Sequence, residues 1–238
     1  MRCSLTTPIA ATLIVCTLLA GCSTPRGSKT SQLAPSQLAK ADVDRVSDAH
    51  RAQLDASLRV LADKLYRRNP REWKVAGHAT HEAAVARIFA VGNYRLPELG
   101  DKVGTQAIVL GLREDYTGDR VAAFVAGLGS MAHQAFNEKN DFYFYDDLDP
   151  QRLYNAARNV EIAAWKLANS RDANGQPLLL SNEMYPVPNL SFEREIGKMI
   201  GNFDLLSITI ADKTNRTVVK VVQNVATAVF LPVAVVLR

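Results

Sequence analysis

The amino-acid sequence predicts an all-α fold: a single domain of several helices that follows a short apolar segment and a flexible linker. Apolar residues recur every three or four positions in the clearest segments, and typical cap residues begin and end those segments. The composition also changes at Cys22 and again near Leu38. We therefore divide the chain into residues 1–21, 22–38 and 39–238.

Residues 1–21 have the pattern of a secretory signal peptide. Arg2 precedes an apolar run from Ile9 to Ala20, and small residues follow. A positive charge, an apolar stretch of roughly a dozen residues and a small-residue cleavage site are typical of such signals. The run is shorter than the roughly 20 apolar residues that a membrane-spanning helix needs. The sequence therefore predicts that this segment is removed during export.

The end of this segment, Leu19-Ala20-Gly21-Cys22, resembles the lipobox of bacterial lipoproteins. The resemblance implies that the Cys22 sulfur receives a diacylglyceryl group and that the chain is cut before Cys22. It also implies that the new amino group is often acylated, as with palmitate. Ser23 resembles the residue found there in lipoproteins sorted to the outer membrane. We therefore expect a lipid anchor at the periplasmic face of the outer membrane. The resemblance covers only the first 22 residues, and no family is recognised for the rest.

Composition excludes several classes of function. The only cysteines are Cys3, Cys16 and Cys22, so cleavage leaves one, and its sulfur is a thioether. The mature chain then has no disulfide, thiol nucleophile or cysteine metal site, and its fold depends on its core. The formal net charge of +4 is modest and gives no case for nucleic-acid binding.

Residues 22–38 are predicted to be a flexible linker. They are rich in Ser, Thr, Pro and Gly and show no apolar periodicity. A flexible tether of roughly 15 residues has an r.m.s. span of about 20 Å.

Residues 39–69 predict a first long helix, which Asn69-Pro70 ends. Thr80 is a suitable N-cap for a second helix over residues 80–91. Residues 105–112 form a short apolar run whose length does not decide between helix and strand. The side chains predicted to face the core from the first two helices are Val43, Val46, His50, Leu54, Leu58, Leu61, Leu65, Val85, Ile88 and Phe89.

Two further helices are predicted to begin at aspartate caps. Asp119 precedes the apolar, small-residue segment 121–136, which is typical either of a buried bundle helix or of a membrane helix; its shortness favours the core. Asp149 precedes Pro150, which is favourable at the first helical position. The side chains predicted to face the core are Val121, Phe124, Val125, Leu128, Ala132, Ala135, Phe136, Leu153, Ala156, Ala157, Val160, Ala163, Ala164 and Leu167.

The last part of the chain contains a turn, a helix and a valine-rich end. Residues 172–175 have turn chemistry, which we favour over a calcium loop. Another helix begins at Ser191, and Val218–Val229 has the pattern of an amphipathic helix. The apolar tail Phe230–Leu237 can pack on the core, add a strand or contact lipid, and packing is favoured. The helix beginning at Ser191 is expected to bury Phe192, Ile196, Met199, Phe203, Leu206 and Ile210.

Three groups of residues are candidate sites. His78, His81 and Glu82 lie close in sequence, as metal ligands or an acid–base pair would, but Thr80 as N-cap leaves His78 outside the helix. The basic stretch from Arg67 to Lys74 suits either anionic lipid head groups or a solvated helix end. An aromatic and acidic run is a candidate contact surface rather than a calcium or acid–base site, and consists of Phe142, Tyr143, Phe144, Tyr145, Asp146 and Asp147.

These observations leave two hypotheses for function. The favoured one is a non-catalytic, membrane-anchored envelope lipoprotein that binds a partner protein or contributes to envelope assembly, with no cofactor. The alternative is a metal-dependent or acid–base enzyme that uses His78, His81 and Glu82. The chain contains no glycine-rich phosphate loop and no nucleophile elbow, so the sequence gives no positive reason to choose an enzyme.

Overall fold

The computed structural model describes residues 42–140 and 148–234, and it confirms the all-α fold. Within these residues there are seven α-helices and no strands, only two isolated β-bridges. A short 3-10 helix lies at Pro97–Leu99. The helices are α1 (Asp42–Arg68), α2 (Pro70–Val75), α3 (His81–Phe89), α4 (Thr105–Gly111), α5 (Arg120–Ala135), α6 (Pro150–Asn169) and α7 (Ser191–Thr214).

Helix α1 packs against α3, α5 and α7 through the predicted leucine stripe. Leu54, Leu58, Leu61 and Leu65 are all buried, which confirms the helical period. The continuation of the stripe through Val46 is wrong, since Val46 is 40% exposed and Ser47 is buried in its place. Position 47 lies seven residues before Leu54, and two helical turns return the chain to the same face.

Helix α5 is the centre of the core. Every residue in it except Gln134 is buried, and its N-terminus is capped by the Asp119 side chain, which accepts from the Ala122 N–H at 2.8 Å. Gly127 allows α4 to approach closely, because a Cβ there would lie 2.7 Å from the Ile108 backbone nitrogen. Within the part of the chain that the structure describes, no helix is both long and apolar enough to cross a membrane.

Helices α6 and α7 pack against each other and close the core. Asp149 caps α6 by accepting from the Gln151 N–H at 2.9 Å, as predicted. The six apolar side chains predicted to face inward from α7 are all buried. The turn at residues 172–175 is also present, with Gly175 at φ +77°.

The amphipathic helix predicted over Val218–Val229 is wrong. Helix α7 ends at Thr214, where Asn215 adopts the left-handed conformation, and residues 215–234 then run without a helix along α6. We call residues 215–234 the C-terminal strap. Its valines and threonines are β-branched and so favour extended backbone. Side chains of α6 accept from several of its backbone N–H groups. Val222, predicted to lie on the apolar side of a helix, is 98% exposed.

The described part of the apolar tail packs on the domain. Val233 is buried in the core, and Phe230 is partly buried against the core. Asn159 Nδ2 donates to the Leu231 carbonyl at 2.8 Å, and Asn155 Nδ2 donates to that of Pro232 at the same distance. This is the outcome that the sequence favoured, and residues 235–238 lie outside the described part.

Candidate functional site

The structure separates the three residues of the predicted His78, His81 and Glu82 site into two places. Thr80 caps α3 by accepting from the Ala83 N–H at 3.2 Å, so His78 stands before the helix and lines a cavity. His81 Nε2 lies 3.1 Å from Glu82 Oε1 and 3.3 Å from Asp63 Oδ1. Among the described residues, no three His, Cys, Asp or Glu side chains are arranged to hold a metal ion.

Two other candidates lie outside the described residues. These are the lipidation site Cys22 and the aromatic-acidic run from Phe142 to Asp147. The basic stretch is described: Arg67 pairs with Asp63 and Arg68 pairs with Glu183, so part of its charge is already compensated.

A cavity of about 470 Å³ is a site that the sequence did not reveal. It lies among α1, α3 and the loop that leads into α5. Tyr66 and Asp119 contribute hydroxyl and carboxylate groups to its wall, while Ile88, Leu96 and Ala122 contribute apolar surface. Its volume falls in the range of about 300–1,000 Å³ that is typical of small-molecule sites.

Asp119 is the more enclosed of the two carboxylates on the cavity wall, at 6% exposure, whereas Glu98 is exposed. Its Oδ1 accepts from the Ala122 N–H, and its Oδ2 accepts from the Tyr66 hydroxyl at 2.7 Å. Burial raises the pKa of Asp119 above its ordinary value, although these hydrogen bonds act in the opposite direction. Burial and the neighbouring Asp119 charge also raise the pKa of Tyr66.

Glu72 is a second buried carboxylate beside the N-terminus of α5. It accepts from the Arg120 N–H at 2.8 Å, and burial raises its pKa. The Arg120 guanidinium forms no ion pair with Glu72, since it donates instead to the carbonyl groups of Gly111, Arg113 and Glu114. Within the described chain, neither Glu72 nor Asp119 forms an ion pair. Two carboxylates are therefore hydrogen-bonded but lack a paired cation.

The cavity rim carries charges that are already paired. Arg87 Nη2 lies 3.0 Å from Glu98 Oε2, and both side chains are partly exposed. Tyr116 also lines the cavity, and burial raises its pKa. The charge of Arg87 is thus balanced by Glu98. Asp119 forms no ion pair among the described residues, although His78 lines the same cavity and favours the ionised form of Asp119.

A second feature is an exposed apolar loop at residues 183–189, which we call the 183–189 loop. Glu183 and Asn189 close its base with two backbone hydrogen bonds of 3.2 and 2.7 Å. Between them, Met184, Tyr185 and Val187 are 68%, 84% and 75% exposed. The Tyr185-Pro186 peptide bond is cis. The loop therefore presents three large apolar side chains to solvent from a closed base.

The 183–189 loop stands at the C-terminal end of α1. Arg68 donates to Glu183 at 2.8 Å, and Asn69 exchanges hydrogen bonds with the backbone of Leu180 at 2.8 and 2.9 Å. The sequence analysis identified no candidate site in this stretch, which lies between the predicted turn at residues 172–175 and the helix that begins at Ser191.

Comparisons with protein-family models, with curated proteins and with solved structures found no match.

Proposed function

We propose that this chain is a lipid-anchored lipoprotein of the bacterial envelope whose helical domain binds a partner protein through the 183–189 loop, without catalysis. The lipobox-like motif at Cys22 supports the anchor and Ser23 supports the outer membrane. The observation that carries the binding role is the exposure of Met184, Tyr185 and Val187.

Exposed apolar side chains on a closed loop are typical of a binding surface. Tyrosine is enriched among the residues that contribute most to protein interfaces, and methionine adapts to irregular surfaces. The two hydrogen bonds at the base limit the conformations of the loop before binding. Because less conformational entropy is then lost on association, such a loop binds more tightly than a free segment of the same composition.

The anchor is tested by metabolic labelling with a palmitate analogue. We expect the wild-type chain to be labelled and Cys22→Ala to be unlabelled. A Ser23→Asp variant should move the labelled chain from the outer-membrane to the inner-membrane fraction. Absence of label on the wild-type chain would overturn the anchor.

The loop is tested by a photo-crosslinking amino acid placed at Tyr185 in intact cells. We expect a discrete protein adduct that disappears when Met184→Ser and Val187→Ser are added. The matched control places the same crosslinker at Ile208, which is 60% exposed on α7. Adducts to lipid alone, or the same adduct from both positions, would contradict a protein partner at this loop.

A further inference from the structure

We propose that the cavity beside α5 binds a small organic cation, a primary amine with a compact aromatic or apolar body, whose ammonium group pairs with Asp119. This inference concerns a different surface from the 183–189 loop and does not depend on it.

The shape and chemistry of the lining suit such a ligand. The apolar side chains of Ala84, Ile88 and Leu96 can cover the body of the ligand. The rings of Tyr66 and Tyr116 also line the cavity, and aromatic faces attract cations. A ligand that enters past Arg87 and Glu98 meets Asp119 as the one carboxylate on the lining that is not in an ion pair.

The charge distribution explains why a cation is favoured. A buried carboxylate is costly unless a cation compensates it, and Asp119 has hydrogen bonds but no ion pair within the described residues. The Asp119 oxygens accept from the Ala122 N–H and the Tyr66 hydroxyl, and the Val121 N–H also bonds to this carboxylate. A carboxylate has about four acceptor sites, so one remains. An ammonium donor can therefore add to the existing bonds without displacing them.

The same geometry argues against an anionic ligand. The N-terminus of a helix such as α5 ordinarily attracts anions. Here the N–H groups of Arg120 and Ala122 already donate to Glu72 and Asp119. An anion would find these donors occupied and would lie beside the Asp119 carboxylate.

The test uses three indole probes of similar size, measured by isothermal titration calorimetry on the full chain in nonionic detergent. They are tryptamine, the neutral indole-3-ethanol and the anionic indole-3-acetate. We expect tryptamine to bind at least about tenfold more tightly than indole-3-ethanol, since it alone brings a positive charge to the Asp119 carboxylate. Equal affinities, tightest binding of the anion, or no binding of the amine at millimolar concentration would overturn the proposal.

The Asp119→Asn variant tests the role of the charge. Asparagine also caps helices, so α5 should remain folded. We expect the preference for tryptamine over indole-3-ethanol to fall to about threefold or less, with the affinity for the neutral probe retained. A preference that survives unchanged would contradict pairing with Asp119.

A second variant locates the site even if Asp119→Asn fails to fold. Val75 lines the cavity and is 50% exposed, so Val75→Trp should obstruct the entrance without disturbing the core. The matched control is Val109→Trp, because Val109 is 43% exposed and lines a different surface hollow. Tryptamine binding should weaken in the first variant only. Unchanged binding in Val75→Trp would overturn the proposed location.

Discussion

Helix α5 and the C-terminal strap are both rich in small and apolar residues, yet they adopt opposite structures. Helix α5 forms its own backbone hydrogen bonds and is buried along almost its whole length. The strap forms no helix, and its backbone bonds to α6 side chains such as Gln151, Tyr154 and Asn159. Val222 in the strap is almost fully exposed, while Val125 in α5 is fully buried.

The difference shows that apolar content does not by itself decide between a buried helix and a surface segment. The alanines and glycines of α5 leave its backbone free to pack closely against its neighbours. The valines and threonines of the strap disfavour a helix, and buried amides on α6 offer its backbone an alternative set of partners. Substitutions can test each half of this comparison.

The largest effect is expected from Gly127→Leu in α5. A side chain there meets the backbone of α4, including Ile108 nitrogen at 2.7 Å and Gly104 oxygen at 2.8 Å, and neither backbone atom can move freely. We expect the free energy of unfolding to fall by about 3 kcal/mol or more. The control is Gly201→Leu on the exposed face of α7. We expect this variant to raise the free energy of unfolding by about 0.5–1 kcal/mol, because leucine has a higher helix propensity than glycine. Urea denaturation measures both. Equal effects would show that α4 does not constrain α5.

An intermediate effect is expected from Asn159→Ala in α6. The Asn159 amide, fully buried, exchanges hydrogen bonds of 2.8 and 2.7 Å with Leu231 in the strap. Its loss should lower the free energy of unfolding by about 2 kcal/mol, because two backbone groups lose their partners. Hydrogen exchange at the Leu231 amide should accelerate. Asn169→Ala, an exposed asparagine that bonds within α6, is the control and should change neither quantity measurably.

The smallest effect is a pH dependence at the N-terminal end of α5. Burial raises the pKa of Glu72 above 4.5, so its ionisation opposes folding, and its contribution to stability is lost as the pH rises through the folded-state pKa. The stability of the wild-type chain relative to Glu72→Gln should therefore decline from pH 4.5 toward neutral pH. Denaturation of both proteins across this range measures the difference. A difference that grows with pH would contradict the raised pKa.

Glu82 should contribute a pH dependence of stability opposite in sign to that of Glu72. Hydrogen bonds from its own backbone N–H and from Thr80 lower its pKa. The contribution of ionised Glu82 to stability is therefore present above pH 4.5, and it is lost as the pH falls through the folded-state pKa. Relative to Glu82→Gln, the wild-type chain should gain stability as the pH rises.

The helices were predictable because the signals that define them are local. Thr80, Asp119 and Asp149 each accept from a backbone N–H two or three residues later, and the apolar periods of α1 and α7 are visible in short windows. The strap was not predictable in this way. Asn159 and Leu231 are 72 positions apart, so no local pattern reveals that they meet.

The cavity was hidden for the same reason. Tyr66 belongs to α1, and Tyr116 and Asp119 belong to the loop before α5. The sequence identified only Asp119, as a helix cap. The short polar signals around His78 and His81 were more conspicuous, but the fold directs these two side chains to different neighbours. The buried carboxylate of Asp119 therefore located the cavity better than the closeness of His78 and His81 in the sequence.

Met184 in the 183–189 loop is the methionine most exposed to oxidation among the described residues. It is 68% exposed, whereas Met131 and Met199 are buried in the core at 1% and 2%. An oxidant in solution therefore reaches Met184 first and converts its apolar thioether into a polar sulfoxide. The core is untouched, but apolar area is lost beside Tyr185, on the surface proposed to contact a partner. Oxidative damage would thus weaken binding without unfolding the domain, and enzymatic reduction of the sulfoxide would restore it.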